Sequence, residues 1–110
     1  MSDPFVDIRG AKAIGLDVET HDPSLKEKGP GGFRGDGELL GIGLATDDGF
    51  KHYYPIGHDD GENYDRETVI NYCNEMLQTD VPKVGANLAY DLEWLLVSGV
   101  RVKGPTRDIQ

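Results

Sequence analysis

Cysteine, basic residues and long apolar runs are all scarce in this sequence of 110 residues. The one cysteine, Cys73, excludes an internal disulfide bond and suits a reducing compartment. No apolar stretch approaches the ~20 residues that span a bilayer. The N-terminus lacks the basic segment and apolar core of a secretory signal. We therefore expect a cytoplasmic protein that has no membrane partner.

The small number of basic residues limits how this chain could bind nucleic acid. It has 11 Lys and Arg against 20 Asp and Glu, a net charge of −9. Phosphate contacts normally require Lys and Arg, so the composition argues against unaided binding. Two interpretations remain: the chain binds no nucleic acid, or its carboxylates hold metal ions that meet the phosphate. The second interpretation requires carboxylates that converge.

The pattern of apolar residues predicts a single α/β domain over residues 1–110. Alternation indicates strands at 13–20, 38–46 and 50–56, a short strand at 83–87, and a fifth beginning at 100–102. Helical spacing indicates helices from Asp65 to about 79 and over 88–98, the second with Leu88, Leu92, Leu95 and Leu96 as its apolar face. The order predicts a mixed five-stranded sheet, an antiparallel meander followed by a βαβ unit, with flanking helices.

Two segments depart from this regular pattern. Residues 21–38 are rich in glycine and predict a long loop insert, which is either functional or unstructured. Within it, Phe33 and Arg34 could contact single-stranded DNA, or simply lie on a surface loop. Residues 106–110 resemble the opening of a further helix, so we expect the domain to be incomplete at its C-terminus.

An acidic pair lies on the first predicted strand. Asp17 and Glu19 are two residues apart, so their side chains point to the same face. Adjacent carboxylates repel unless a cation lies between them or one is protonated. The pair is therefore a candidate site for Mg²⁺ or Mn²⁺, although such a pair is common and often only faces water.

A second group of polar residues lies where the fourth strand meets the next helix. Asn87 is at the junction, and Asp91 follows one helical turn later on the same side. Asn87 could be a simple N-cap. Asp91 could be a solvated helix residue, but Leu88, Leu92 and Leu95 place it beside the buried face, where a carboxylate needs a partner.

Taken together, these motifs resemble those of DEDD-type 3′–5′ exonuclease domains, in the ribonuclease H-like superfamily. The first motif reads Leu16-Asp17-Val18-Glu19-Thr20, and the second reads Asn-Leu-Ala-Tyr-Asp-Leu-Glu-Trp-Leu over 87–95. Asp108 resembles a later landmark, an Asp at the start of the helix after the fifth strand. The resemblance covers about 12–110 and is nearest to the proofreading domains of phage or bacterial family A DNA polymerases.

The resemblance implies roles for five residues. Asp17, Glu19 and Asp91 would be the catalytic residues that hold two Mg²⁺ or Mn²⁺ ions, while Thr20 and Asn87 would contact the substrate. The reaction would release nucleoside monophosphates from the 3′ end of single-stranded DNA. The implied partners are that DNA end and a polymerase domain or the remainder of the exonuclease domain.

The resemblance also implies a missing part. The family's third motif, a Tyr or His followed by an Asp, would lie beyond position 110, so this chain by itself is expected to be a weak nuclease. The alternative is a non-catalytic ribonuclease H-like module that binds nucleic acid or a partner.

Overall fold

Five strands form one sheet, whose spatial order is β3-β2-β1-β4-β5. The structure, a computed structural model, describes residues 3–109. The strands are β1 (Ile14–His21), β2 (Glu38–Thr46), β3 (Lys51–Pro55), β4 (Lys83–Gly85) and β5 (Thr106–Asp108). The helices are α1 (Leu25–Lys28), α2 (Arg66–Leu77) and α3 (Leu88–Val97).

The strand directions confirm the predicted α/β sheet. β1, β2 and β3 form an antiparallel meander, and β4 runs parallel to both β1 and β5. β3 lies at one edge of the sheet, a position that suits Pro55 because proline cannot donate a hydrogen bond to a further strand. The connection β4-α3-β5 is the predicted βαβ unit, and it places the start of α3 at the carboxyl end of β4.

One face of the sheet carries the hydrophobic core. Ile14, Leu16 and Val18 alternate along β1 and are buried with apolar residues of β2, α2 and α3. Trp94 and Cys73 belong to the same cluster, so both are core residues. The opposite face of β1 and β2 carries Asp17, Glu19 and a set of small residues, namely Gly15, Gly41, Gly43 and Ala45.

The helix ends follow local chemistry. Asp65 caps α2, because its carboxylate accepts a hydrogen bond from the backbone N–H of Thr68 at 3.0 Å. α3 ends at Val97, and Gly99, two residues later, has φ 100°, which permits the N–H of Val100 to return to the carbonyl of Leu95 at 2.8 Å. Among residues 3–109, no helix is long and apolar enough to cross a membrane.

The C-terminal part of the fold prediction is wrong. Residues 100–102 are not a strand; β5 is Thr106–Asp108, the place where a helix was predicted. The backbone of 100–103 bonds to helix ends instead, as when Lys103 N–H donates to the carbonyl of Leu77 at 2.9 Å. Asp108 therefore lies on a strand and not at the start of a helix, while Gln110 lies outside the described residues.

Three smaller predictions also need correction. The 21–38 insert contains the one-turn helix α1 at its Lys-rich part. β4 ends at Gly85 rather than at Asn87, since residues 86–87 form the turn that leads into α3 at Leu88. Leu96 does not lie on the buried face of α3, since 49% of its surface is exposed.

Candidate functional site

The acidic pair of β1 lies on an open part of the sheet. Asp17 and Glu19 are both exposed, and their neighbours across β2 are Gly43 and Gly41. Because glycine has no side chain, nothing from β2 covers the carboxylates. The ring of Tyr53, from β3, lies against Gly41, and its pKa is raised by burial and then by the charges of Glu19 and Asp17. The structure thus bears out the shared face that the two-residue spacing predicts.

Asp91 is a buried carboxyl group on the first turn of α3. Only 4% of its surface is exposed. Burial and the nearby charge of Asp17 raise its pKa to about 6, a hydrogen bond with the backbone of Val18 opposes the rise, and Asp108 adds to it. Asp91 is therefore buried and not a solvated helix residue. The β1 backbone is its hydrogen-bond partner, whereas the charges of Asp17 and Asp108 act against its ionisation.

Gly85 makes room for this arrangement. A Cβ atom at position 85 would lie 2.9 Å from Cδ1 of Leu88, 3.2 Å from the carbonyl oxygen of Leu16 and 3.3 Å from Oδ2 of Asp91. The absent side chain lets α3 pack close to β1 and β4. Asp91 reaches the carboxyl half of β1 because of this close packing.

The three predicted metal ligands share one region, but they do not form a finished binding site. Asp17 acts electrostatically on Asp91, and both Asp17 and Glu19 act on Tyr53. Within residues 3–109, no group of three or more His, Cys, Asp or Glu side chains is spaced to hold a metal ion. Their oxygen donors suit Mg²⁺ or Mn²⁺, and a cation would relieve the repulsion that raises the pKa of Asp91. Their assignment as catalytic metal ligands stays a prediction.

A hydrogen-bonded chain lies next to the acidic pair. The Thr20 hydroxyl is 2.7 Å from the hydroxyl of Tyr90, which donates to Oδ2 of Asp22 at 3.1 Å. The same oxygen accepts the N–H of Gly31 at 3.1 Å. Asp22 and Tyr90 therefore connect the end of β1 to α3 and to the glycine-rich insert. Sequence reasoning missed this connection, because it joins residues up to 70 positions apart.

Asn87 is exposed and does not act as a side-chain cap. Its side chain makes no capping hydrogen bond at the start of α3, where Oδ2 of Asp108 accepts the N–H of Leu88 at 3.2 Å. The N-cap alternative is therefore wrong for the Asn87 carboxamide. Sequence analysis also missed the capping role of Asp108, which depends on β5 pairing beside β4.

Two pockets flank the acidic residues. One of about 400 Å³ lies between the glycine-rich insert and α3, and its lining residues are Leu25, Pro30, Asn87, Ala89, Tyr90 and Glu93. The other, about 370 Å³, lies on the open face of the sheet, where Asp17, Tyr53 and Ile109 line it among small residues. Asn87 and Asp17 therefore each line a recess large enough for a small group.

Sequence comparison shows that the chain is similar to part of a phage DNA polymerase. It is 40% identical over 105 residues to a DNA-directed DNA polymerase of Pseudomonas phage M6, a match that covers 92% of this chain and 16% of the relative. The chain thus spans about a sixth of that protein. No protein-family model matches the sequence.

Structure comparison gives the fold. NrnC of Brucella melitensis, bound to pGG, has a TM-score of 0.58 at 18% identity, over 91% of this chain and 42% of that one. A family B DNA polymerase from the archaeon Pyrobaculum calidifontis has a TM-score of 0.48 at 19% identity, over 84% of this chain and 12% of that one. The chain is therefore similar in sequence to part of a phage DNA polymerase, and its fold is similar to that of NrnC.

Proposed function

We propose that this chain is part of a proofreading domain that removes nucleotides from the 3′ end of single-stranded DNA with two divalent metal ions. The observation that carries the proposal is Asp91, a buried carboxyl group whose pKa is raised to about 6 beside Asp17. A buried acid next to another acid destabilises a fold, and acids perturbed in this way cluster at functional sites. In a relative of a DNA polymerase, the function we propose for this pair is to hold a cation that binds phosphate.

The candidate ligands are Asp17, Glu19 and Asp91. Bound divalent ions would supply an activated water and would neutralise charge on the phosphate that is cleaved. Asp17 is exposed on the open face and Asp91 is held in place by the β1 backbone. Asp91 would therefore hold a metal ion at a fixed position, and Asp17 would hold it where solvent and substrate can reach it.

Thr20 and Asn87 would bind the terminal nucleotide. The Thr20 hydroxyl is held by Tyr90, so it has a set direction at the end of β1. The Asn87 carboxamide is exposed and not used as a cap, which leaves it free for hydrogen bonds to a base or sugar. A fixed hydroxyl bonded to Tyr90 and an available carboxamide in the pocket that Tyr90 also lines suit recognition of one nucleotide.

A non-catalytic ribonuclease H-like binding module is the second candidate. It is favoured by the absence, within residues 3–109, of a three-ligand arrangement that could hold a metal. Such a module could bind nucleic acid or a partner without any need for Asp17, Glu19 and Asp91 to share an ion.

The two candidates differ in their response to Mn²⁺. We would titrate Mn²⁺ into the labelled protein, follow paramagnetic broadening of amide signals by NMR, and in parallel measure release of nucleoside monophosphate from single-stranded DNA. Proofreading predicts broadening around residues 17, 19 and 91, lost in Asp17→Asn, together with metal-dependent release. The exposed acid Glu62 gives a control of equal charge change, Glu62→Gln. Broadening spread over the acidic surface without cleavage would favour the binding module.

A further inference from the structure

We propose that the segment 25–35 of the glycine-rich insert is a binding surface for single-stranded nucleic acid, in which Phe33 stacks on an unpaired base and Lys26 and Lys28 meet phosphates. The inference deepens the proposed function, on which it rests for the location of the 3′ end. In this proposal, the nucleotides that precede the 3′ end bind to residues 25–35, outside the acidic site.

The insert is held firmly against α3. The N–H of Phe33 donates to Oε2 of Glu93 at 3.1 Å, and that of Gly31 donates to Asp22. A Cβ atom on Gly32 would lie 2.8 Å from the same Glu93 oxygen, so the backbone packs directly on that side chain. Arg34 closes the turn through Asp36 at 3.0 Å and the carbonyl of Gly29 at 2.6 Å. These contacts fix the backbone that carries Phe33.

Phe33 projects from this fixed backbone into solvent. Its surface is 67% exposed, the largest exposed fraction among the large hydrophobic residues of the described chain. A single exposed aromatic residue is common on protein surfaces. The backbone of Phe33 is already fixed in the free protein, so stacking of its ring on a base would cost less conformational entropy than in a flexible loop. Stacking on a base requires such a fixed aromatic face and tolerates any base.

The local charge also suits nucleic acid. Residues 25–35 together with Asp36, the partner of Arg34, contain three cations and two acids, so their net charge is +1 in a chain whose net charge is −9. Lys26 and Lys28 are exposed. Arg34 is paired within the loop, so the two lysines remain as the candidates for phosphate. A positive segment in an acidic chain is complementary to a phosphate backbone.

The position of the segment connects it to the acidic site. Leu25 and Pro30 line one pocket with Asn87 and Tyr90, and Tyr90 contacts Thr20, the residue after Glu19. A strand whose last nucleotide lies at Thr20 and Asn87 would pass this pocket and reach the segment with its preceding nucleotides.

The test is binding of a 5′-labelled oligothymidylate to the full chain, measured by fluorescence anisotropy in EDTA at several salt concentrations. Chelation removes any contribution of metal ions at the acidic site. We expect Phe33→Ala to weaken binding about tenfold and Phe33→Trp to retain it. Lys26→Gln with Lys28→Gln should reduce the salt slope by about 1.4, or about 0.7 for each lost contact to a single strand.

The matched control is Arg101→Gln with Lys103→Gln, which removes the same two positive charges as the Lys26 and Lys28 variant. These residues precede β5 and lie near the amino end of β4, whereas Asn87 follows its carboxyl end. The control variant should bind like the unaltered chain. Equal binding by Phe33→Ala and the unaltered chain, or no binding by the unaltered chain at low salt, would overturn the inference. Metal-dependent cleavage is scored separately, so a chain that binds through Phe33 and cleaves nothing refutes only the proposed nuclease.

Discussion

At the scale of single residues, Asp91 shows how the site works against stability. Its carboxyl group is buried beside Asp17, so ionisation costs more in the folded state than in the unfolded one. With a pKa of about 6 against an ordinary 3.8, the folded protein binds an extra proton between roughly pH 4 and pH 6. The contribution of this group to stability therefore falls as pH rises through that range.

Asp91→Asn should remove this effect. In metal-free buffer, we expect the variant to gain stability at pH 7, up to about 3 kcal/mol for a shift of two pKa units, and to match the unaltered chain near pH 4. Urea unfolding at several pH values measures the difference. Glu62→Gln, on the surface, should not reproduce it. The account would be refuted if the stability gain of Asp91→Asn over the unaltered chain were no larger at pH 7 than at pH 4.

Gly85 offers a second prediction at the residue scale. Gly85→Ala places a Cβ atom 2.9 Å from Cδ1 of Leu88 and 3.2 Å from the Leu16 carbonyl oxygen, so the Leu88 side chain and the β1 backbone must both give way. We expect a loss of about 1–3 kcal/mol of folding stability, as for other overpacked positions. Gly10→Ala is the control, because nothing lies within 4 Å of its Cβ position. Thermal unfolding followed by circular dichroism compares the two, and equal melting temperatures would contradict the close packing.

At the scale of elements, side-chain pattern predicted only those strands whose side chains alternate. β2 was predicted with its observed bounds, because Ile42 and Leu44 alternate on the buried face, although a bulge in the pairing with β1 shifts Leu39 out of that period. The Val-Arg-Val sequence at 100–102 imitates a strand, since Val100 is buried and Val102 packs against the core, yet its backbone bonds to helix ends. All three residues of β5 are exposed, and it is a strand only because its backbone pairs with β4.

The Lys83 side chain connects the start of β4 to the segments that precede β4 and β5. It is fully buried, and its ammonium group donates to the carbonyls of Thr79 and Lys103, each at 2.6 Å. Lys83→Met should keep the apolar stem but leave both carbonyls without this donor, at a cost of about 1–3 kcal/mol. Urea unfolding measures the loss. Lys12→Met, on the exposed lead-in, is the control, and equal stability of the two variants would show that Lys83 is not a fastening point.

At the scale of the whole molecule, the net charge of −9 sets the response to salt. Self-repulsion of like charges destabilises the compact state, and dissolved ions screen it. We expect the melting temperature at pH 7 to rise with NaCl. Mn²⁺ at matched ionic strength should raise it further in the unaltered chain but not in Asp17→Asn. Equal effects of Mn²⁺ and NaCl would indicate general screening without a specific site.

The site was predictable from sequence only in part, for reasons of distance along the chain. The shared face of Asp17 and Glu19 follows from a local period of two, and the position of Asp91 follows from one helical turn. The capping by Asp108 and the contact of Tyr90 with Asp22 depend on strands and helices that meet only in the folded chain. Sequence spacing therefore identified the acids and not the residues that hold them in place.

The ring of Tyr53 lying against Gly41 has a consequence for how this chain can change during evolution. Any side chain at position 41 would collide with that ring, so a replacement there is acceptable only if position 53 also changes or its ring turns away. The two positions should therefore vary together among descendants of this sequence. A library that randomises both codons, selected for folded protein, should recover larger residues at 41 mainly alongside small ones at 53.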